Sequence, residues 1–231
     1  MDKRITVAID GYSSTGKSTI AKQLASKLGY VYVDSGAMYR AMTLFSMQKG
    51  YISSSQFCVQ DLIDNLDNAS LEFIYNETLG FAEMYLNDVN VEKSIRSLEV
   101  SNLVSKVSAI PEVRKKLVAI QKEIGKNKAV VMDGRDIGSV VFTDAELKIF
   151  MTSSAETRAQ RRYDELIQKG EKVSYQDVYT NVVERDRVDT SRKDSPLVKA
   201  DGAIEIDNSQ LSKEKQFEII LKLVEEKLRD I

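Results

Sequence analysis

A chain of 231 residues can bury one good core and carry a small appended subdomain. Its 33 Lys and Arg against 35 Asp and Glu leave a formal charge of −2, which gives no global attraction to nucleic acid or an anionic membrane. With no histidine and one cysteine, Cys58, there is no intramolecular disulfide framework and no usual ligand set for zinc or copper, and a reducing compartment fits.

The first apolar run, residues 5–9, is too short for a secretory h-region, and no run is long enough to span a bilayer. The expectation is a cytoplasmic enzyme without a membrane partner. That run reads as a strand and leads into Gly11-Tyr12-Ser13-Ser14-Thr15-Gly16-Lys17-Ser18-Thr19, followed by good helix formers. Strand, glycine-bounded loop and helix, with every fixed residue present, make the P-loop pattern. Gly11 and Gly16 permit backbone conformations that turn successive amide N–H groups around an anion, and the helix N-terminus adds its positive dipole end. Lys17 is expected to reach the β- and γ-phosphates of a nucleotide, and Ser18 to ligate a magnesium ion shared with them. The bland alternative is a turn that binds nothing.

Gly29 suits a helix C-cap, and residues 30–33 read as a second strand, followed by a turn at Asp34-Ser35-Gly36 and a helix over 37–49. β-α-β-α at this spacing implies a parallel sheet with crossover helices. A short helix over 59–66 precedes three short strands at 71–75, 81–86 and 89–91, a β-meander inserted into the alternating plan. It reads either as a substrate-facing subdomain or as a surface hairpin.

Helices follow over 97–109 and from Pro111 to about residue 126, with Pro111 in a first turn. Strands are expected at 128–132, 147–151 and 203–206, and a final helix over 212–229 carries an apolar stripe of Phe217, Ile220, Leu221, Val224 and Leu228. The main sheet should hold about five strands. Between the last two strands, residues 154–199 are charged and rich in arginine. Arg158, Arg161 and Arg162 share a helical face and, beside a nucleotide, suit a lid that clamps phosphate oxygens and excludes water. A solvated surface is the alternative.

Asp133 follows an apolar strand, so it sits at the carboxyl edge of the sheet, where open α/β sheets bind ligands, and could hold magnesium-bound water. Asp34 occupies a similar place with a weaker case.

The P-loop, Asp34-Ser35-Gly36-Ala37-Met38-Tyr39-Arg40, Asp133-Gly134-Arg135-Asp136-Ile137-Gly138 and Glu184-Arg185-Asp186 together resemble bacterial-type cytidylate kinase, in order and over nearly the whole chain. The resemblance implies a P-loop kinase fold in a single domain: core 1–58, 96–153 and 200–231, a β-rich monophosphate-binding insertion at about 59–95, and a helical lid at about 154–199. It implies transfer of a phosphoryl group from ATP, with Mg2+, to CMP or dCMP, by a monomer that binds no nucleic acid.

By motif, Ser35, Arg40 and Arg135 match positions around the acceptor phosphate, and Ser105, Arg114 and Asp136 match positions that hydrogen-bond cytosine. Arg185 and Asp189 match the pair near the sugar, and Arg192 a further arginine of the acceptor site. Lys17, Asp133, Arg135, Arg158 and Arg162 are the catalytic candidates. A carboxylate facing the N4 amino group and an arginine facing the ring acceptor would select cytosine over uracil. Tyr12 and Thr15 depart from the Pro and the small residue that many relatives carry, and the Tyr12 ring is expected toward the adenine side.

Rival expectations are a P-loop kinase of UMP, AMP or a metabolite alcohol, and a regulatory NTPase switch. Against the switch, the chain lacks an Asn-Lys-x-Asp segment for guanine.

Overall fold

The computed structural model describes residues 3–230. In chain order the elements are β1 (Thr6–Gly11), α1 (Lys17–Leu28), β2 (Val31–Asp34), α2 (Ser35–Gln48), α3 (Val59–Asp64), β3 (Leu71–Asn76), β4 (Phe81–Leu86) and β5 (Val89–Asn90). Then come α4 (Leu98–Ser108), α5 (Pro111–Ile124), β6 (Val130–Gly134), β7 (Leu147–Thr152), α6 (Ala155–Gln168), α7 (Tyr175–Ser191), β8 (Ile204–Asp207) and α8 (Lys213–Asp230). Five strands form the expected parallel sheet, in the order β2-β6-β1-β7-β8. A separate sheet holds β3, β4 and β5.

The chain divides into two compact units, residues 1–31 with 127–231, and residues 32–126. In the first, β1 pairs in parallel with β6 on one side (Thr6 opposite Val130) and β7 on the other (Val7 opposite Leu147). All six of its residues are buried, as a strand covered on both faces requires. Its carboxyl end, between two strands that arrive much later in the chain, is the crevice where such sheets take ligands. The helix that leaves it, α1, ends at Gly29 with φ 66°, the left-handed cap anticipated from sequence. Residues 154–199 fold into α6 and α7, each started by a serine: Ser154 Oγ accepts from Thr157 N and Ser174 Oγ from Asp177 N.

In the second unit, α2 buries Met38, Met42 and Phe45 in a core with Leu62, Met84, Ile95, Val107 and Leu117. β3 and β4 pair antiparallel from Leu71 opposite Leu86 to Asn76 opposite Phe81. Met84 and Leu86 face the core, while Ile74 and Tyr75 are exposed.

Three local expectations are corrected. No turn separates β2 from α2; Asp34 is the N-cap, its carboxylate accepting from Ala37 N at 3.0 Å, so the helix starts at Ser35. Strand β6 begins at Val130 rather than Lys128, because Lys128 and Ala129 take φ of 55° and 53° in the left-handed region. The helix at 59 stops at Asp64, where the Asn65 amide donates to Asp61 O and a short 3-10 turn over Leu66–Asn68 follows. Among the described residues no helix is long and apolar enough to cross a membrane.

Candidate functional site

The loop between β1 and α1 is shaped by two glycines for different reasons. Gly11 has φ 144°, and a Cβ there would lie 2.0 Å from the Met151 carbonyl oxygen, so β7 packs directly against it. Gly16, with φ 89°, is the N-cap of α1 and has open space around it; only its backbone angle calls for glycine. It supplies no side-chain cap, so the α1 N-terminus keeps N–H groups that an anion can take. The Ser13 hydroxyl is buried in this loop without a hydrogen-bond partner, a donor suited to a phosphate oxygen.

Lys17 is only 5% exposed. Its ammonium donates to the Tyr12 carbonyl at 2.6 Å and to Thr15 Oγ1 at 3.3 Å. Burial, with repulsion from Arg135, lowers its pKa to about 7 against the attraction of Asp133, Asp10 and Asp189. Further negative charge would favour the ammonium, which is what nucleotide phosphates bring. Ser18 Oγ donates to Asp133 Oδ2 at 2.8 Å. The two oxygens meet at the start of α1, a hard donor set that suits Mg2+.

Asp10, one residue before the loop, was not foreseen. Its two oxygens accept the backbone N–H groups of Ile137 (2.8 Å) and Gly138 (2.7 Å), which fixes the segment carrying Asp133, Arg135 and Asp136. Burial pushes its carboxyl up to about 6, although those amides pull the other way. The signal was present: an acid at the end of a strand that carries no other charge.

The arginines of the charged stretch do not act alike. Arg135 Nε donates to Asp189 Oδ2 at 2.9 Å, and Arg192 approaches the other oxygen of Asp189 at 3.7 Å. Burial alone would raise the Asp189 carboxyl; Arg135, Arg192 and Arg185 overcome it and hold it below the usual carboxylate range. Arg185 is lowered to about 10 by burial and by Arg135, and its Nε is buried without a partner. Arg158 pairs with Asp186 at 2.6 Å and reaches the Ser13 carbonyl of the P-loop at 3.4 Å.

Arg161 is tied to the loop after β8, while Arg162 lies near enough to Arg185 to help lower its pKa. Arg161 donates to Asn208 Oδ1 and to its carbonyl, both at 2.9 Å, and Arg162 pairs with Glu165 at 2.8 Å on its own helix. The common face read from spacing therefore splits into three different partners. The Tyr12 ring lies under Arg158 and edge-on to Phe150. Gly11 to Ser18, Asp133, Arg135, Arg158, Arg185, Asp189 and Arg192 thus belong to one connected cluster of this unit, with exposed Thr19 in the first turn of α1. Asp136 is buried at the start of the 137–141 turn.

In the second unit Ser35 is the first residue of α2, and Arg40 on that helix donates to Ser101 Oγ at 2.8 Å and to Ile95 O at 3.3 Å. Arg114 is 2% exposed, its guanidinium 5.3 Å from the Tyr39 ring centroid and 3.0 Å from the Ser108 carbonyl. Burial removes the reading of Arg114 as a solvated residue. Ser105 is half-buried on α4. Asp34 faces Arg96 at 2.7 Å, and Arg96 also meets Glu92 at 2.8 Å. Burial would raise Asp34, but Arg96 outweighs it and lowers the carboxyl below its ordinary value. Asp34 is thus engaged as cap and ion-pair partner. Arg96 and Ser101 had no sequence signal, since neither lies in a motif.

The family model described as cytidylate kinase matches residues 7–226. A cytidylate kinase of Flavobacterium johnsoniae is 67% identical over 222 residues, covering 96% of this chain and 96% of that protein. One from Phocaeicola vulgatus is 55% identical over 210 residues, 91% of this chain and 92% of that one. Among solved structures, an uncharacterized protein from Eubacterium ventriosum superposes with a TM-score of 0.50 at 11% identity, over 97% of this chain and 99% of that one. That last likeness bears on the fold alone.

Proposed function

The chain belongs to the cytidylate kinase family, and from that premise we propose that it transfers the γ-phosphoryl group of ATP to CMP or dCMP, giving ADP with CDP or dCDP. The observation that carries the reading is the completed P-loop: Lys17 buried at the loop, and Ser18 hydrogen-bonded to Asp133 at 2.8 Å.

The P-loop amides, the Ser13 hydroxyl and Lys17 bind the donor phosphates. Ser18 and, through water, Asp133 would hold Mg2+, which neutralises phosphate charge when bound. A chain without histidine has no need of one here, because the acceptor phosphate is already largely ionised near neutral pH. Catalysis then rests on positioning and on the positive charge of Lys17, Arg135, Arg158 and Arg162 around the transferred group.

Ser35, Arg40, Arg135 and Arg192 take the acceptor phosphate side in this reading, Arg185 and Asp189 the sugar, and Ser105, Arg114 and Asp136 the cytosine. The burial of Arg114 supports its part, since a buried polar partner left unpaired by the wrong base penalises that base. Residues 59–95 form the monophosphate-binding insertion and 154–199 the lid of one kinase domain. A cytoplasmic monomer completes the proposal.

The test is ADP release from Mg-ATP with CMP, dCMP, UMP, AMP and GMP supplied singly, using Lys17→Ala as the blank. Turnover with CMP and dCMP well above the others is expected. Equal turnover with UMP would remove the roles given to Arg114 and Asp136, and no acceptor-dependent turnover would remove the kinase reading.

A further inference from the structure

The second residue of the phosphate loop carries an aromatic ring whose place the proposed reaction does not explain. The Arg158 guanidinium carbon sits 5.1 Å from the centroid of the Tyr12 ring. That ring is itself held edge-on by Phe150, with centroids 6.0 Å apart and planes at 76°. Along the edges of the guanidinium, Nε donates to Ser153 O at 2.9 Å, Nη1 to Asp186 Oδ1 at 3.0 Å and to Ser13 O at 3.4 Å, and Nη2 meets Asp186 Oδ2 at 2.6 Å. These bonds fix the edges of the fork. The Tyr12 ring covers the face of the fork and adds a contact there that the edge bonds do not supply.

The same residue reaches the second cation of the site by its backbone. The Tyr12 carbonyl accepts from Lys17 Nζ at 2.6 Å and from Thr15 Oγ1 at 3.0 Å. One residue therefore touches both Lys17 and Arg158, one through a peptide oxygen that any residue supplies and the other through an aromatic face that few do.

We propose that Tyr12 is a positioning residue whose ring orients Arg158 against the P-loop for phosphoryl transfer. The proposal rests on the kinase reading above. None of the contacts just described uses the phenolic hydroxyl, so the ring and not the hydroxyl carries the role.

The experiment compares Tyr12→Phe and Tyr12→Leu in the full-length enzyme at saturating Mg-ATP, alone and in an Arg158→Gln background. An attraction of this class corresponds to roughly a three- to thirty-fold change. Tyr12→Leu is expected to lower kcat by about that factor while the KM for CMP stays within about twofold, and Tyr12→Phe to restore at least about half of the wild-type kcat. In the Arg158→Gln background, Tyr12→Leu should change kcat by less than about twofold, since the partner is already gone.

Equal losses in Phe and Leu, a wild-type kcat in Leu, or an undiminished Leu effect in the Arg158→Gln background would each overturn the proposal. If the wild-type enzyme turns over no nucleotide acceptor, the kinase reading fails instead. The ring-to-guanidinium coupling is then read as a cycle of unfolding midpoints over wild type, Tyr12→Leu, Arg158→Gln and the double variant, where additive shifts would overturn it as well.

Discussion

Asn208 Nδ2 donates to the carbonyl oxygen of Thr15 at 2.6 Å, linking the loop after β8 to the middle of the phosphate loop. Asn208 is completely buried and its amide is fully used: the same nitrogen donates to Gln216 Oε1 at 2.8 Å, and Oδ1 accepts from Arg161. Three separate segments are braced through one side chain. Asn208→Ala should therefore cost about 2–4 kcal/mol of stability, because it removes the hydrogen bonds to the Thr15 carbonyl, to Gln216 Oε1 and from Arg161 Nη1 at once. Denaturant unfolding checks the stability, and a raised KM for ATP with the KM for CMP little changed would locate the effect at the phosphate loop.

The two P-loop glycines should respond differently to alanine. At Gly11 the added methyl meets the Met151 carbonyl at 2.0 Å, in a backbone region closed to alanine, so Gly11→Ala should lose at least about 3 kcal/mol and separate β1 from β7 locally. At Gly16 nothing lies within 4 Å, and only the left-handed φ is penalised, by about 1–2 kcal/mol. Thermal unfolding of both variants gives the order; equal losses would contradict the packing argument at Gly11.

Lys17 is held at the site at a cost in stability, and the sign can be worked out. Its folded pKa of about 7 lies below the unfolded value of 10.5, so between those pH values the unfolded chain binds more protons and stability rises with pH. Below about pH 7 the full penalty of the buried ammonium is present. Lys17→Met should accordingly be more stable than wild type by about 1–3 kcal/mol at pH 6, with the advantage shrinking toward pH 10. The same variant should show almost no turnover. Paired urea titrations at pH 6 and pH 9.5 decide it, and a pH-independent difference would contradict the shift.

Arg114→Met preserves much of the side-chain volume while removing the guanidinium that packs over Tyr39. It should weaken CMP by roughly 2 to 4 kcal/mol in kcat/KM and leave the KM for ATP near wild type. The measurement is the CMP to UMP ratio of kcat/KM, which falls toward one if Arg114 reads the base and stays constant if its burial is only structural.

Much of this protein was legible in its chain because the signals are local. A buried β1, a loop bounded by Gly11 and Gly16, and helix formers from Lys17 need no distant partner to be recognised, and Ser154 and Ser174 start helices for reasons contained within four residues. Boundaries went astray where one side chain decided them. Asp34 was read as part of a turn, yet its carboxylate caps α2, and Lys128 and Ala129 were read as strand although both adopt left-handed angles.

Arginine chemistry was legible in kind but not in partner. Helical spacing put Arg158, Arg161 and Arg162 on one face, and the fold gave them Asp186, Asn208 and Glu165. A long side chain with five donors chooses among carboxylates and carbonyls brought near by other segments, and sequence spacing does not contain that information. Residues outside any motif were invisible for the same reason. Asp10 holds two amides from residues 137 and 138, and Asn208 holds Thr15 across 193 positions.

The sequence by itself determined the phosphate loop, the parallel α/β plan with its β-meander insertion, and the family, since each depends on residue types at fixed short spacings. The tertiary structure alone decided that Ser18 faces Asp133, that Arg135 is held by Asp189, and that the Tyr12 ring lies against Arg158. Those contacts join segments 54 to 146 residues apart, and their geometry follows from how strands and helices pack.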